Sequence, residues 1–259
     1  MRTLVCLLGQ ARFPEFTLEP WKKWVLGPLK ADLILCGNVE PNNQFRQFAK
    51  YVFDPEDASD LSLLDGLPGH LGASQGAGNC GRLTLHLRND LWNNLVKHGL
   101  DQEYDSFIIS RSDYVWTGPH PILDQKYIWC MNGEFHLGFC DRHMVIPRRF
   151  LKDVITIAHF ENPEKTIEVL REKYNEGIRD GYAHCLFNLE SFMYCRFKER
   201  GLLEHVGLSP FPMHLIYSNG EPKFAEELDA DQTTLTWPYT INHNYISSKS
   251  GFFSGRALK

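Results

Sequence analysis

The sequence lacks a long apolar run, a closely spaced pair of cysteines and a block of basic residues. A membrane-spanning helix needs about 20 consecutive apolar residues, and no stretch of this chain approaches that length. Seven cysteines without a CxxC pattern argue against a zinc site and indicate buried free thiols in a reducing compartment. A net charge of −5 without a basic block argues against nucleic acid as a main partner.

Two phosphate-binding signatures are also missing where they would be expected. The loop after the first apolar run, GQAR at residues 9–12, does not have the GxGxxG spacing, and no GxxxxGK[ST] occurs. This disfavours a nicotinamide dinucleotide at that loop and argues against a P-loop. The first apolar run spans only residues 4–8, which is too short for a secretory signal and reads better as a strand. We therefore expect a soluble cytoplasmic protein.

The elements that are present alternate between strands and helices. Apolar runs predict strands at 3–9 and 31–37, and a third strand ends the segment 42–53. Helical spacing at 18–29 separates the first two strands. This β-α-β-α-β order predicts an α/β fold with a mainly parallel sheet and helices on its faces. At 259 residues, with 43% hydrophobic and 23% charged residues, the chain has the composition of an ordinary globular protein.

The later part of the chain continues this pattern. Residues 54–80, rich in Asp, Gly and Ser, predict a long loop. Leu83, Leu87, Leu91 and Leu95 then recur every four residues, which predicts a helix with one apolar face. Further strands are expected at 104–110, 126–132, 139–146 and 213–218, and further helices at 147–160, 162–177 and 188–202.

The first group of candidate site residues follows the first strand. Gly9 allows the backbone to turn sharply or to approach a ligand closely. Gln10 could hydrogen-bond a base or ribose, and Arg12 could pair with a phosphate. The alternative is a structural turn with a surface arginine.

The second group follows the strand at 104–110, in the stretch YDSFIISRSDYVWTG. Strand ends are where α/β proteins bind ligands. Asp113 is a hard oxygen ligand suited to Mg²⁺ or Mn²⁺, and Arg111 could add positive charge against a diphosphate. Tyr114 and Trp116 either cover a base or sugar or pack beneath the site. The alternative for Arg111 and Asp113 is a salt-bridged strand end.

The remaining candidates are polar residues within apolar elements. Asp141 interrupts an apolar strand and could bind sugar hydroxyls or act as a base. Glu190 lies early in a helix, where it either suits the helix N-terminus or serves as the general base. His143 and His214 are more often packed structural histidines, although a late histidine such as His214 could complete a metal shell.

The order of these pieces resembles the GT-A-type nucleotide-sugar glycosyltransferases, in particular the small enzymes of large algal DNA viruses that decorate capsid proteins with sugars. The similarity covers roughly residues 3–215 and is carried by GQAR, ADLILCG, YDSFIISRSD, an IW strand, GFCDRHMVI and NLESFMYCRF. It implies one GT-A-like (Rossmann-like) domain over 1–259, with a nucleotide-binding half at 1–118 and an acceptor-binding half at 119–259. The implied reaction moves a sugar, with a UDP-sugar favoured as donor, to a hydroxyl of a glycan or glycoprotein.

The candidate residues then take roles in this reaction, which for Asp113, Gly9, Gln10 and Arg12 follow from the resemblance and for the others from the residues themselves. The metal, Mn²⁺ or Mg²⁺, would be held by Asp113 and His214. The catalytic carboxylates would be Asp141 and Glu190. Where the family has Asp-x-Asp, this sequence has Arg111 before Asp113, and an arginine can replace part of a cation's charge. The nucleotide sugar would be bound by Gly9, Gln10, Arg12, Arg111, Asp113 and Trp116.

Two other functions remain open at this point. The same metal and diphosphate chemistry would serve a sugar-nucleotide hydrolase or a nucleotidyltransferase, because the acceptor decides the reaction. A non-catalytic carbohydrate-binding protein on a degenerate transferase fold is the alternative from another class.

Overall fold

The computed structural model describes residues 1–55, 80–132, 138–159, 163–179 and 189–221. The predicted long loop falls almost entirely in 56–79 and so lies outside the described residues. The strands are β1 (Thr3–Leu8), β2 (Asp32–Cys36), β3 (Ala49–Phe53), β4 (Ser106–Ser110), β5 (Tyr114–Trp116), β6 (Ile128–Met131), β7 (Cys140–Pro147), β8 (Val206–Ser209) and β9 (Met213–Leu215).

Helices alternate with the strands as far as β4, as the sequence predicts, and β5, β6 and β7 are then the next elements that the structure describes. Short 3₁₀ turns occur at Gln44–Gln47 and Leu203–His205, and a π-helical turn occurs at Lys22–Leu26. Within the described ranges, no helix is both long and apolar enough to cross a membrane. The α-helices are α1 (Pro14–Trp21), α2 (Gly27–Leu29), α3 (Cys80–Lys97), α4 (Leu100–Glu103), α5 (Arg148–Ile155), α6 (Pro163–Arg179) and α7 (Leu189–Glu199).

Seven strands form one mixed, mostly parallel sheet in the order β3-β2-β1-β4-β7-β6-β8. All neighbours pair in parallel except β7, which runs antiparallel to both β4 and β6. The remaining two strands, β5 and β9, form a separate antiparallel pair. The chain is therefore an α/β protein whose sheet is compatible with a Rossmann-like fold, as the strand-helix alternation predicts.

Helices cover both faces of the sheet, which explains why β1 is apolar from Leu4 to Leu8. Leu4 and Cys6 point to a core shared with α3, α5, α6 and α7. Val5 and Leu7 point to a second core formed with α1 and the π-helical turn. Because alternate strand residues face opposite sides, a strand buried on both faces shows no polar alternation.

Three local predictions need correction. The helix expected at 18–29 begins earlier, at Pro14, and its middle is the π-helical turn that follows Pro20. A proline inside a helix removes one hydrogen bond of the i to i−4 ladder, which favours such irregularity. Leu83 is 56% exposed, and Leu85 is buried instead. Pro147 lies at the N-cap of α5 with extended backbone, one residue before the predicted position.

Candidate functional site

The candidate site lies where the chain changes direction across the sheet. From β1 the chain goes to β2 and β3 on one side, while β4 pairs with the other side of β1. In open α/β sheets, the crevice outside the carboxyl ends of such strands is the preferred place for ligands. The loops that begin at Gly9 and Arg111 leave the sheet at this edge.

The antiparallel direction of β7 brings further residues to the same edge. Ser110, the last residue of β4, is the register partner of His143 near the start of β7. Asp141 and Arg142 therefore lie at the edge where β4 ends. Glu190, in the first turn of α7, is close to the same strand, because the backbone N–H of Phe139 donates to the Glu190 carbonyl oxygen at 3.3 Å.

Two glycine turns hold the carboxyl ends of β1 and β2 against each other. Gly9 has φ +89°, and its N–H donates to the Cys36 carbonyl oxygen at 2.9 Å. A Cβ on Gly37, whose φ is +151°, would lie 2.3 Å from the Gly9 carbonyl oxygen. Any side chain at position 37 would force these two turns apart.

The loop after β1 is tied to the loop after β4 by one serine. The Arg12 backbone N–H donates to Ser112 Oγ at 2.7 Å, and that hydroxyl lies 3.2 Å from the Gln10 carbonyl oxygen. The side chains of Gln10 and Arg12 are exposed and contact each other at 3.1 Å. The structure thus fixes the backbone of GQAR and leaves its two long polar side chains accessible to a ligand.

Arg111 and Asp113 form a bidentate ion pair at the end of β4. Arg111 Nε donates to Asp113 Oδ1 at 3.0 Å, and Nη2 donates to Oδ2. Burial disfavours the charged guanidinium, but attraction to Asp113 and these hydrogen bonds outweigh it and raise the pKa of Arg111. Asp113 is only 4% exposed. The salt-bridged strand end is therefore present, and it lies inside the candidate site.

This pairing bears on the predicted metal ligands. Both carboxylate oxygens of Asp113 are engaged by Arg111. His214 is the register partner of Val115 in the β5–β9 pair, and burial lowers its pKa. Across the described ranges, no group of three His, Cys, Asp or Glu side chains is arranged to hold a metal ion. These residues do not form a ready-made cage for a divalent ion.

A pair of carboxyl groups forms the other part of the site. Glu190 is 7% exposed, and burial together with the negative charge of Asp141 raises its pKa to about 7. Gly138 allows this packing, since a Cβ there would lie 1.7 Å from the Glu190 carbonyl oxygen. A carboxyl group with a pKa near neutrality can give or take a proton under physiological conditions.

Asp141 is the electrostatic centre of the cluster. Its negative charge acts on Arg111 and on Glu190, and it also acts on Arg88 of α3. The ion pair at the end of β4 and the Glu190 carboxyl group are therefore neighbours of the same aspartate. The structure brings together Gly9, Gln10, Arg12, Arg111, Asp113, Asp141 and Glu190 at one edge of the sheet.

The aromatic residues after β4 lie beneath this edge. Trp116 is 1% exposed and packs edge-on against Trp21 with ring centroids 5.6 Å apart. Tyr114 is fully buried, and burial raises the pKa of its phenol. Of the two alternatives for these rings, the structure shows packing beneath the site, and this position gives no support to stacking of Trp116 on a ligand.

Sequence reasoning missed the buried polar stretch of α3. His86, Arg88, Asn89 and Asp90 are each at most 8% exposed, and Arg88 is completely buried. A regular leucine spacing drew attention to the apolar side of this helix. The signal that was available is the unusual density of polar residues in LHLRND, within a predicted helix that precedes the strand leading to the site.

An open depression of about 480 Å³ lies elsewhere, at the amino ends of β2 and β3, with Lys22, Lys30, Asp32 and Lys50 among its lining residues. It is far from the charged cluster because it is at the opposite edge of the parallel strands. The charged cluster and its position at the carboxyl ends of the parallel strands favour that edge as the site. The volume of this shallow depression does not by itself make it a binding site.

The chain matches no protein-family model and no curated protein. The function must therefore be argued from the site itself.

Proposed function

We propose that this chain is a glycosyltransferase that moves a sugar from a nucleoside diphosphate sugar to a hydroxyl of a glycan or glycoprotein. The observation that carries the proposal is the position of Glu190, with its pKa raised to about 7, beside Asp141 and at the same sheet edge as Arg111 and Asp113. An inverting transfer of a glycosyl group needs these two capabilities side by side: a carboxylate for the acceptor proton and positive charge for the leaving diphosphate.

The donor would lie across the ends of β1 and β4. The tight turn at Gly9 leaves room for close approach of a ligand to the backbone. The exposed side chains of Gln10 and Arg12 extend from the same loop and supply a hydrogen-bonding amide and a cation. A uridine diphosphate is our preferred donor group, following the family that the sequence resembles.

Arg111 would stabilise the negative charge that develops on the diphosphate as the sugar leaves. Its guanidinium is held in a fixed orientation by Asp113, so little reorganisation is needed during the reaction. If Mg²⁺ or Mn²⁺ takes part, it would enter with the nucleotide. Mg²⁺ commonly binds through one or two carboxylates, waters and substrate phosphates. Asp113 would be its protein ligand here.

The acceptor would bind on the side of Asp141 and Glu190. The acceptor oxygen attacks the anomeric carbon, the bond from that carbon to the phosphate oxygen breaks, and the nucleoside diphosphate leaves. The hydroxyl proton passes to the Glu190 carboxylate. Because only ionised Glu190 can accept this proton, transfer should increase as the pH rises through about 7.

The experiment is a transfer and hydrolysis assay of UDP-, GDP-, CMP- and dTDP-sugars with simple glycoside acceptors. Glu190→Gln keeps the size of the side chain and removes the base, so we expect transfer to fall by about 100-fold or more. Glu204→Gln is the control, because the Glu204 side chain is 81% exposed and outside the site. Full activity in Glu190→Gln would contradict the proposed base.

The same assay identifies a hydrolase, and a separate binding measurement with glycans and nucleotides identifies a carbohydrate-binding protein. Release of free sugar in the absence of an acceptor, faster than transfer in its presence, would identify a sugar-nucleotide hydrolase. Binding of glycans without affinity for any nucleotide would identify a carbohydrate-binding protein.

A further inference from the structure

Arg88 is a buried cation with unused hydrogen-bond donors. It lies in the middle of α3 and is 0% exposed. Its Nε and Nη1 have no hydrogen-bond partner within the part of the chain that the structure describes. Nη2 makes only long contacts, at 3.5 Å to the Asp141 carbonyl oxygen and 3.6 Å to Met144 Sδ. Since Nε carries one N–H group and Nη1 carries two, three of the five donors are unused.

Such an arrangement does not stabilise the folded chain by itself. Removing a charged group from water is costly unless it is paired and hydrogen-bonded. Burial lowers the pKa of Arg88, and attraction to Asp141 opposes this only in part. An arginine nevertheless keeps its proton in proteins. A ligand that supplied negatively charged oxygen atoms would complete the missing hydrogen bonds.

The contacts of α3 place Arg88 at the same sheet edge as the candidate site. The carbonyl oxygen of Leu87 accepts from Cys36 Sγ at 3.6 Å, and Cys36 is the last residue of β2. One residue later, Arg88 contacts the start of β7 through the backbone of Asp141. The guanidinium therefore lies on the Asp141 side of the site, where the sugar and acceptor would bind, whereas Arg111 lies at the end of β4.

Arg88 differs from Arg111 in having no carboxylate partner among the described residues. Arg111 is already paired with Asp113. The Asp141 charge acts on Arg88, but it acts on Arg111 and on Glu190 as well.

We infer that Arg88 binds a carboxylate on the sugar, so that the substrate is an acidic sugar of the uronic acid type. The planar guanidinium matches a carboxylate in shape and charge, and such pairs are strong when water is excluded. The inference rests on the proposed function, because it assigns the Asp141 side of the site to sugar. The acidic sugar could belong to the donor or to the acceptor, and the test separates the two.

The donor arm compares UDP-glucuronate with UDP-glucose, which differ only in the carboxylate. We expect the wild-type protein to bind the acidic donor about tenfold to 100-fold more tightly by calorimetry. Arg88→Met should abolish this preference and leave the affinity for UDP itself unchanged. If Arg88→Met weakens UDP, UDP-glucose and UDP-glucuronate equally, Arg88 contacts the diphosphate and the inference is wrong.

The acceptor arm compares methyl β-D-glucuronide with methyl β-D-glucoside, with and without UDP. Preference for the glucuronide that is lost in Arg88→Met assigns the acidic sugar to the acceptor. This arm does not need nucleotide binding, so it tests Arg88 even if no nucleotide binds and the proposed function fails. If nucleotides bind but the wild-type protein prefers neither acidic compound over its neutral counterpart, the inference is wrong and the proposed function is unaffected.

Thermal stability tests whether Arg88 is structural. Arg196 is an almost equally buried arginine, but its donors are used by the carbonyl oxygens of Ile157 and His159 and by Thr166 and Glu199. We expect Arg196→Met to lower the Tm by about 5 °C or more, and Arg88→Met to leave it unchanged or raise it. A large fall in Tm, or failure to fold, in Arg88→Met would show that Arg88 serves the fold and would overturn the inference.

Discussion

A pair of buried histidines beneath the site should make the protein sensitive to acid. His120 Nε2 lies 3.3 Å from His143 Nε2, and both rings are at most 5% exposed. Trp116 and Phe211 surround the pair with apolar rings. The hydrogen bonds around the pair determine which nitrogens carry protons.

The hydrogen bonds of the pair disfavour a protonated His120. His120 Nδ1 lies 2.8 Å from the Pro121 carbonyl oxygen, so this nitrogen must donate and Nε2 must accept. His143 Nε2 is then the donor between the two rings, and in the neutral ring its Nδ1 is the acceptor that faces Ser110 Oγ at 3.0 Å. Protonating His120 at Nε2 would point its new N–H group at the Nε2–H of His143. It would also bury a positive charge.

The size of the effect follows from the pKa of His120. Burial lowers this pKa from 6.5 to about 4, while the hydrogen bond to Pro121 opposes the shift. Burial, with a further contribution from His120, also lowers the pKa of His143 well below its usual value. A histidine with a lowered folded-state pKa contributes stability above pH 6.5, and this contribution is lost as the pH falls toward 4. For His120 alone the loss is about 3 kcal/mol in the free energy of unfolding.

Urea unfolding at several pH values measures this loss, with His120→Gln as the test variant. Glu190 changes stability in the opposite direction, because its raised pKa means that the folded state holds a proton between pH 7 and 4.5. The relevant quantity is therefore the difference between wild type and variant at each pH. We expect the wild-type protein to lose about 3 kcal/mol more than His120→Gln between pH 7 and pH 4.

A second histidine provides the control. His98 is exposed, so His98→Gln should keep the acid-dependent loss of the wild type. If His120→Gln and the wild type lose stability in parallel, the buried pair does not control acid sensitivity and the reasoning is refuted.

Two further predictions test the packing of the glycine turns and of α3. Gly37→Ala should lower the free energy of unfolding by about 1–3 kcal/mol, because the new methyl group would meet the Gly9 carbonyl oxygen at 2.3 Å. Gly99→Ala is the control in urea unfolding, because Gly99 also has a positive φ but no atom lies within 4 Å of its Cβ position. Equal losses of unfolding free energy in the two variants would argue against the clash at Gly37. Leu91→Ala should cost about 2–5 kcal/mol, because Leu91 is fully buried, whereas the exposed Leu83→Ala should cost less than about 0.5 kcal/mol. Similar values for the two leucines would mean that α3 packs through another face.

The order of elements was largely predictable from the sequence. Strands buried on both faces produce unbroken apolar runs, such as the one that became β1. The alternation of strands and helices then restricts the fold to a mostly parallel sheet, and the structure confirms this. The short strand β5 was not anticipated as a separate element, since its pairing with β9 joins segments about 100 residues apart.

Which residues come together at the candidate site was predictable only in part. Gly9 and Asp113 follow strands and could be assigned to one edge by the rule for parallel sheets. Asp141 reaches that edge because β7 is antiparallel, and no local pattern in the sequence shows the direction of a strand. Arg88 was missed for another reason: a polar residue in an amphipathic helix is expected to face water, and its burial depends on how α3 packs in three dimensions.

The central claim is that the carboxyl edge around Gly9, Arg111 and Asp113 binds a nucleoside diphosphate sugar. The most direct measurement is the thermal shift of the wild-type protein with UDP, GDP, CMP and dTDP and their sugars, each with Mn²⁺, Mg²⁺ or EDTA. A ligand that binds only the folded protein at 100 times its Kd adds about 2.7 kcal/mol of stability, which corresponds to a rise in Tm of about 5 °C or more. We predict such a rise for one nucleotide family, and its loss in Asp113→Asn would assign the binding to this edge. No rise with any of these nucleotides or nucleotide sugars would contradict the claim.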